Sequence, residues 1–201
     1  IQRLVGSEMC IRDRIIGITG THGKTSTTAL LSHIFHFNNV NVSYLYGGIT
    51  TFNGIGGHYG DPDQPLILET DEAFNTFEKI KISDLLVLNV DSDHLDYFKN
   101  LGNYKDAFYK VMKNVTDNLV INNDDLNIKS MKELKNPVSY GKDISADFKV
   151  QSPGNFIYEN NKYEIKSDII GDHFKSNMLG AVILALLNLS LIHISEPTRR
   201  W

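Results

Sequence analysis

The chain has 201 residues, with 20 Lys+Arg against 24 Asp+Glu, a net charge of -4 and 41% hydrophobic content, the makeup of one ordinary globular domain; a mild acidic excess argues against general nucleic-acid binding, which needs clustered Lys and Arg. A single Cys excludes a disulfide framework or a Cys-rich metal site within the chain. The longest apolar run, Ala181 to Leu187, is far below the roughly 20 residues that span a bilayer, and no secretory leader precedes the first strand-like segment, so the expected location is the cytoplasm.

Both ends read as foreign. Leu189 to Arg199 (LSLIHISEPTR) can be encoded by a string that resembles a transposon adapter of sequencing libraries, and the reverse complement of that string encodes LVGSEMCIRD, which is Leu4 to Asp13. One inverted DNA string therefore accounts for both flanks, and residues 1–14 and 189–201 are expected to be adapter-derived. The domain proper is Ile15 to Asn188, which contains neither Cys nor Trp. It starts inside a strand and stops inside a helix, as expected of a piece cut from a longer reading frame.

Ile15 to Thr19 (IIGIT) predicts a buried strand, and Lys24 to Phe37 a helix with Ala29, Leu30, Ile34 and Phe37 at helical spacing. A short run, Val42 to Tyr46, leads into a Gly-rich stretch, Gly47 to Gly60, read as loop. Pro65 to Thr70 and Asp84 to Val90 are nearly continuous apolar runs, the mark of strands buried on both faces of a parallel sheet. Between them Phe74 to Lys81 has room for a short helix. A helix follows over about Leu101 to Val115, then a strand, Asn118 to Asn122, and an NNDD turn. From Val138 to Ile170 the segments shorten and alternate, with a hairpin signal in FIYENNKYEI whose Asn160-Asn161 suits positive φ. His173 to Asn188 predicts a closing helix. The fold class is α/β: a P-loop-like, mostly parallel sheet flanked by helices on both faces, with a small antiparallel extension.

The strongest chemical signal is Gly20-Thr21-His22-Gly23-Lys24-Thr25-Ser26 between the first strand and the first helix. Glycines let backbone N–H groups crowd round a phosphate, and the helix N-terminus adds partial positive charge. Lys24 can reach the β- and γ-phosphates, and the Thr25 hydroxyl can hold Mg²⁺. The common nucleotide loop has a Gly five residues before Gly23, where this chain has Ile18. Glu69 and His94 each follow a buried parallel strand, where ligands gather, and a carboxylate and an imidazole beside Thr25 can hold two Mg²⁺ together with phosphates and water.

The shorter loop form, GTHGKTSTT, resembles the central ATPase domain of the Mur ligases. Three further stretches agree in order and spacing: Glu69-Thr70-Asp71-Glu72, Asn89 to Asp96 (NVDSDHLD), and Gly171 to Asn177 (GDHFKSN). The resemblance covers essentially all of Ile15 to Asn188. It implies ATP and Mg²⁺ as cofactors, with Gly20, Thr21, His22, Gly23, Lys24, Thr25, Ser26, His173 and Asn177 about the nucleotide. It places Thr25, Glu69 and His94 on the metals, and Lys24, Glu69 and His94 in catalysis. Asp71, Glu72, Asp93 and Asp96 are read as supporting or capping acids. Phe174 stands where the family usually has Asn; it either stacks on adenine or packs in the core. His33, His36 and His58 are read as surface or loop histidines.

The implied activity is ATP-dependent amide formation in peptidoglycan precursor synthesis. A substrate carboxylate attacks the γ-phosphate to give an acyl phosphate, and an amine then displaces phosphate. The loop histidine His22 points within the family to addition of L-alanine to UDP-N-acetylmuramate, with a tripeptide-adding recycling ligase, or a nucleotide-binding module alone, as alternatives. Both substrates are expected to be held largely by domains outside this chain, leaving the chain inactive by itself.

Overall fold

The computed structural model describes residues 14–48, 56–70, 80–91, 98–131, 134–167 and 171–189. Ten strands lie in one sheet: β1 (Ile15–Thr19), β2 (Ser43–Leu45), β3 (Gly57–His58), β4 (Leu66–Glu69), β5 (Asp84–Val87), β6 (Leu119–Asn122), β7 (Val138–Gly141), β8 (Phe148–Ser152), β9 (Asn155–Tyr158) and β10 (Asn161–Glu164). Their order is β10-β9-β8-β7-β6-β5-β1-β4-β2-β3. The run from β8 through β1 to β2 is parallel, and β3, β9 and β10 pair antiparallel. The antiparallel extension thus continues the parallel sheet from its β8 edge.

Successive residues of β5 serve opposite faces, as the period of two requires. Leu86, with Leu88 just beyond the strand, packs under helices α1 (Lys24–Phe37) and α4 (Asp172–Asn188). Leu85 and Val87 pack under α2 (Leu101–Lys113). That two-sided burial is why the sequence run is continuously apolar rather than alternating. In α2, Tyr104, Ala107, Phe108, Val111 and Met112 form the buried stripe, and Asn100 caps the start by accepting from Asn103 N.

Helix α1 departs from its expected face. The buried residues are Thr27, Thr28, Leu31, Ser32 and Phe35, whereas Phe37 is 67% exposed. Thr28 and Ser32 donate to the carbonyls of Lys24 and Thr28, each at 2.8 Å. Their hydroxyls therefore enter the interior already bonded, which apolar periodicity does not register.

Three other details depart from expectation. The Gly-rich stretch contains β3, which pairs with β2 through Tyr44 and His58. The NNDD turn leads directly into a one-turn helix α3 (Leu126–Lys129), capped by Asp125, whose Oδ1 accepts from Asn127 N and Ile128 N. In the β9–β10 hairpin the positive φ angles fall on Glu159 (48°) and Asn160 (65°), one residue earlier than Asn160-Asn161. That register sets Tyr163 opposite Phe156, with the rings stacked at 5.3 Å, and leaves Tyr158 stacked on Phe148 at 4.1 Å. Both ring pairs form in this register, and such cross-strand contacts help to set it. The helix expected over 74–81 falls almost entirely outside the described residues.

At the start of β1, Arg14 Nε donates to Asp84 Oδ2 at 3.0 Å, and Asn118 Nδ2 donates to Asp84 Oδ1 at 2.6 Å. Asp84 is fully buried. A buried carboxylate is tolerable only when paired and hydrogen-bonded, and here two neighbouring segments supply the partners. Among the described residues no helix is long and apolar enough to cross a membrane.

Candidate functional site

The loop joining β1 to α1 runs over the carboxyl ends of the parallel strands, where ligands bind in open α/β sheets. Gly20 (φ 143°) and Gly23 (φ 86°) occupy conformations that side chains disfavour. A Cβ on Gly20 would press on Leu88 Cβ at 3.0 Å and on Asn89 N at 3.1 Å; one on Gly23 would overlap Asn177 Nδ2. Helix α1 then begins at Lys24 with no side chain capping its N-terminus. Uncapped first-turn N–H groups and the helix dipole make this end a receiver for anions.

The loop is tied to the segment following β5. Thr21 N donates to Asn89 O at 3.1 Å. Thr21 Oγ1 accepts from Asp91 N at 2.8 Å and lies 3.0 Å from the buried Tyr104 hydroxyl. His22 N donates to Asn89 Oδ1 at 2.8 Å, and Asn89 Nδ2 donates to His22 O at 2.9 Å. Ser26 Oγ donates to Gly23 O at 3.2 Å.

Lys24 Nζ donates to Gly20 O at 2.8 Å, so its ammonium sits over the loop, positioned to be drawn to a phosphate. Thr25 Oγ1 donates to Glu69 Oε1 at 2.8 Å, and Glu69 Oε2 accepts from Gly47 N at 2.7 Å. A hydroxyl and a carboxylate thus converge where β4 ends and α1 starts. Both are hard oxygen donors of the kind Mg²⁺ takes, and the remaining positions suit phosphate oxygens and water; the donor set fits that ion. Among the described residues there is no group of three or more His, Cys, Asp or Glu for a metal held by protein side chains alone. His94, Asp71, Glu72, Asp93 and Asp96 lie outside the described residues.

Beside the loop opens a cleft of about 860 Å³. Its walls include His22 and Gly23 from the loop, Asp91 after β5, and His173, Phe174 and Asn177 from the first turns of α4. Phe174 is 49% exposed, so it belongs to this wall rather than to the core. The loop separates this cleft from a second space of about 590 Å³ lined by Lys24, Thr25, Tyr46 and Glu69. One side therefore offers a cation and metal-type oxygens, and the other a partly aromatic wall. His33, His36 and His58 are exposed and line neither space; His58 Nε2 lies 2.9 Å from Asn41 Oδ1.

Gly20 to Ser26 thus form the loop between β1 and α1, with Glu69 bonded to Thr25 on one side of it and His173 and Asn177 lining the cleft on the other. Sequence reasoning assigned no role to Asn89, Tyr104 or the Gly47 N–H. Asn89 stood inside a quoted motif, which was its one signal. Tyr104 carried none, and Gly47 only its place at the head of the Gly-rich stretch.

Residues 18–185 match the family described as Mur ligase middle domain. A UDP-N-acetylmuramate--L-alanine ligase of Clostridium botulinum (strain Loch Maree / Type A3) is 36% identical over 185 residues, covering 85% of this chain and 40% of the relative. The chain thus spans about two fifths of the length of that relative. Among solved structures, the UDP-N-acetylmuramate-alanine ligase of Thermotoga maritima superposes with a TM-score of 0.76 at 20% identity, covering 98% of this chain and 46% of that one. The UDP-N-acetylmuramate:L-alanyl-gamma-D-glutamyl-meso-diaminopimelate ligase of Neisseria meningitides gives a TM-score of 0.76 at 19% identity, covering 98% and 66%. At these identities the structural likeness concerns the fold.

Proposed function

The chain belongs to the Mur ligase family, and we propose that it is the ATP-binding part of a ligase that joins L-alanine to UDP-N-acetylmuramate. The observation that carries this reading is the loop itself: an uncapped helix N-terminus, an ammonium at Lys24, and the Thr25–Glu69 oxygen pair surround one small space at the strand ends. Lys24 and the α1 N-terminus oppose the negative charge of a transferring phosphoryl group, the main contribution a protein makes to that step. Thr25 and Glu69 would hold one Mg²⁺ and His94 a second; bound there, the ions would neutralise phosphate charge. His22, His173 and Asn177 would lie along the nucleoside side of the loop.

The substrate carboxylate attacks the γ-phosphorus, ADP leaves, and the amine of L-alanine then displaces phosphate from the acyl phosphate. The likeness to the C. botulinum ligase favours L-alanine as the amine. The tripeptide-adding ligase remains the second reading, because the resemblance gives it the same loop histidine, here His22. Residues 15–188 are proposed as the domain and both flanks as adapter-derived.

Calorimetric titration with MgATP tests the nucleotide reading. The 201-residue chain is expected to bind MgATP, and Lys24→Ala to weaken binding by about ten- to hundredfold, as for loss of a charged hydrogen bond, with little change in melting temperature. No binding by the unaltered chain, or unchanged affinity in Lys24→Ala, would overturn the reading. Coupled ADP release with UDP-N-acetylmuramate and L-alanine should be absent for this chain and present in the complete reading frame.

A further inference from the structure

We infer that Asn89 is a positioning residue of the phosphate loop, holding the His22 backbone as a paired strand residue would. Its carboxamide accepts from His22 N at 2.8 Å and donates to His22 O at 2.9 Å, and its own carbonyl accepts from Thr21 N at 3.1 Å. Asn89 therefore bonds two consecutive loop residues through both its side chain and its backbone. The segment carrying it is fixed to β1 by the parallel ladder, which pairs Thr19 with Val87, and by the bond from Leu88 N to Thr19 O at 3.0 Å. The loop is thereby referenced to the sheet rather than to solvent.

The primary amide of Asn carries an acceptor and a donor on one carbon, in one plane, and keeps both at any ordinary pH. Aspartate would lack the donor and leucine both groups. With the His22 N–H engaged by Asn89, Gly23 and the first turn of α1 are left to face an anion. His22 is solvent-exposed, so its backbone groups can turn to water if the amide is removed. The folded domain then loses little, whereas the loop gains freedom that it must give up on binding phosphate. Asn89 thus acts on affinity more than on stability.

The inference rests on the reading of this loop as a phosphate site, and the test separates the two. MgATP and inorganic tripolyphosphate are titrated into the unaltered chain, Asn89→Ala and Asn103→Ala. Asn103 is a control of similar kind: its Nδ2 donates to Phe98 O at 2.8 Å rather than to a residue of the loop. Asn89→Ala should weaken both ligands by the same factor, about tenfold, the ordering cost of roughly one backbone residue, and Asn103→Ala should change neither by more than about twofold. Equal affinity in Asn89→Ala and the unaltered chain would overturn the inference while leaving the nucleotide reading intact. No binding by the unaltered chain would overturn the nucleotide reading and the inference with it. A separate readout needs no variant: the His22 amide should exchange slowly with deuterated solvent in the unliganded chain, and exchange at the open-coil rate would overturn the clamp.

Discussion

The Thr25 hydroxyl donates to Glu69 Oε1 at 2.8 Å, joining the first turn of α1 to the end of β4 across 44 positions of sequence. Two oxygens that bond each other in this way sit close enough to share one hard cation. Glu69→Gln keeps the shape and an acceptor for Gly47 N but removes the charge. We expect Mg²⁺ to strengthen ATP binding to the unaltered chain and this increment to fall by at least about tenfold in Glu69→Gln, as when a metal site loses a supporting group. Affinity measured in excess chelator should hold or rise, because a negative charge near the phosphates has gone. Titrations with and without Mg²⁺ decide it; an unchanged increment would remove Glu69 from the metal.

Gly23 is constrained twice, by its φ of 86° and by Asn177 lying where a Cβ would go. Gly23→Ala should therefore destabilise the domain by about 1–2 kcal/mol from the left-handed backbone alone and weaken nucleotide binding further by displacing Asn177. Adding Asn177→Ala relieves the overlap but not the backbone strain. Denaturant unfolding of the single and double variants should show partial recovery; none, or full recovery, would mean that one of the two constraints is absent.

Tyr140 is wholly buried against α4, and its hydroxyl has no hydrogen bond of ordinary geometry, although Ser176 is close enough to act on it. Burial pushes this phenol well above its usual value, with the Ser176 hydroxyl pulling the other way. Because the folded value is the higher, the associated stability is complete below the unfolded value of about 10 and is lost as pH rises through that value toward the folded one. Tyr140→Phe should flatten this alkaline loss and leave stability at pH 7 unchanged or raised by up to about 1 kcal/mol. A Cβ on Gly180 would lie 2.9 Å from both Tyr140 Oη and Leu86 Cδ1. Gly180→Ala should cost about 1–3 kcal/mol by overpacking, and less in the Tyr140→Phe background. Thermal melts at pH 7 and pH 10.5 check both statements.

Asp84 is fully buried and, among the described residues, accepts side-chain hydrogen bonds from Arg14 and Asn118. Removing residues 1–13 should shift the melting temperature little, whereas Arg14→Ala should cost on the order of 1–2 kcal/mol, a figure kept low because that side chain is 42% exposed. A large loss on removing 1–13 would show that the preceding segment packs on the domain, against an adapter origin.

The sequence by itself determined the central strands, the helices that follow them and the loop chemistry. Runs such as DLLVLNV admit no solvent-facing side, and a glycine-bounded Lys-Thr pair between strand and helix has few other uses. The buried face of α1 was not legible, because Thr28 and Ser32 satisfy their hydroxyls on their own helix and enter the core as polar letters. The hairpin turn falls on Glu159 and Asn160 rather than on Asn160 and Asn161, and its register shows only in contacts between strands such as the Phe156–Tyr163 stack, which are a property of neither strand alone. Only the tertiary structure decided that β1 lies between β4 and β5, and with that order came the meeting of Thr25 with Glu69 and of His22 with Asn89, the latter 67 positions apart. Local patterns report which face of a segment avoids water. They carry no record of which distant carboxylate or amide the folded sheet will bring to a loop, because that choice is made by strand order and register.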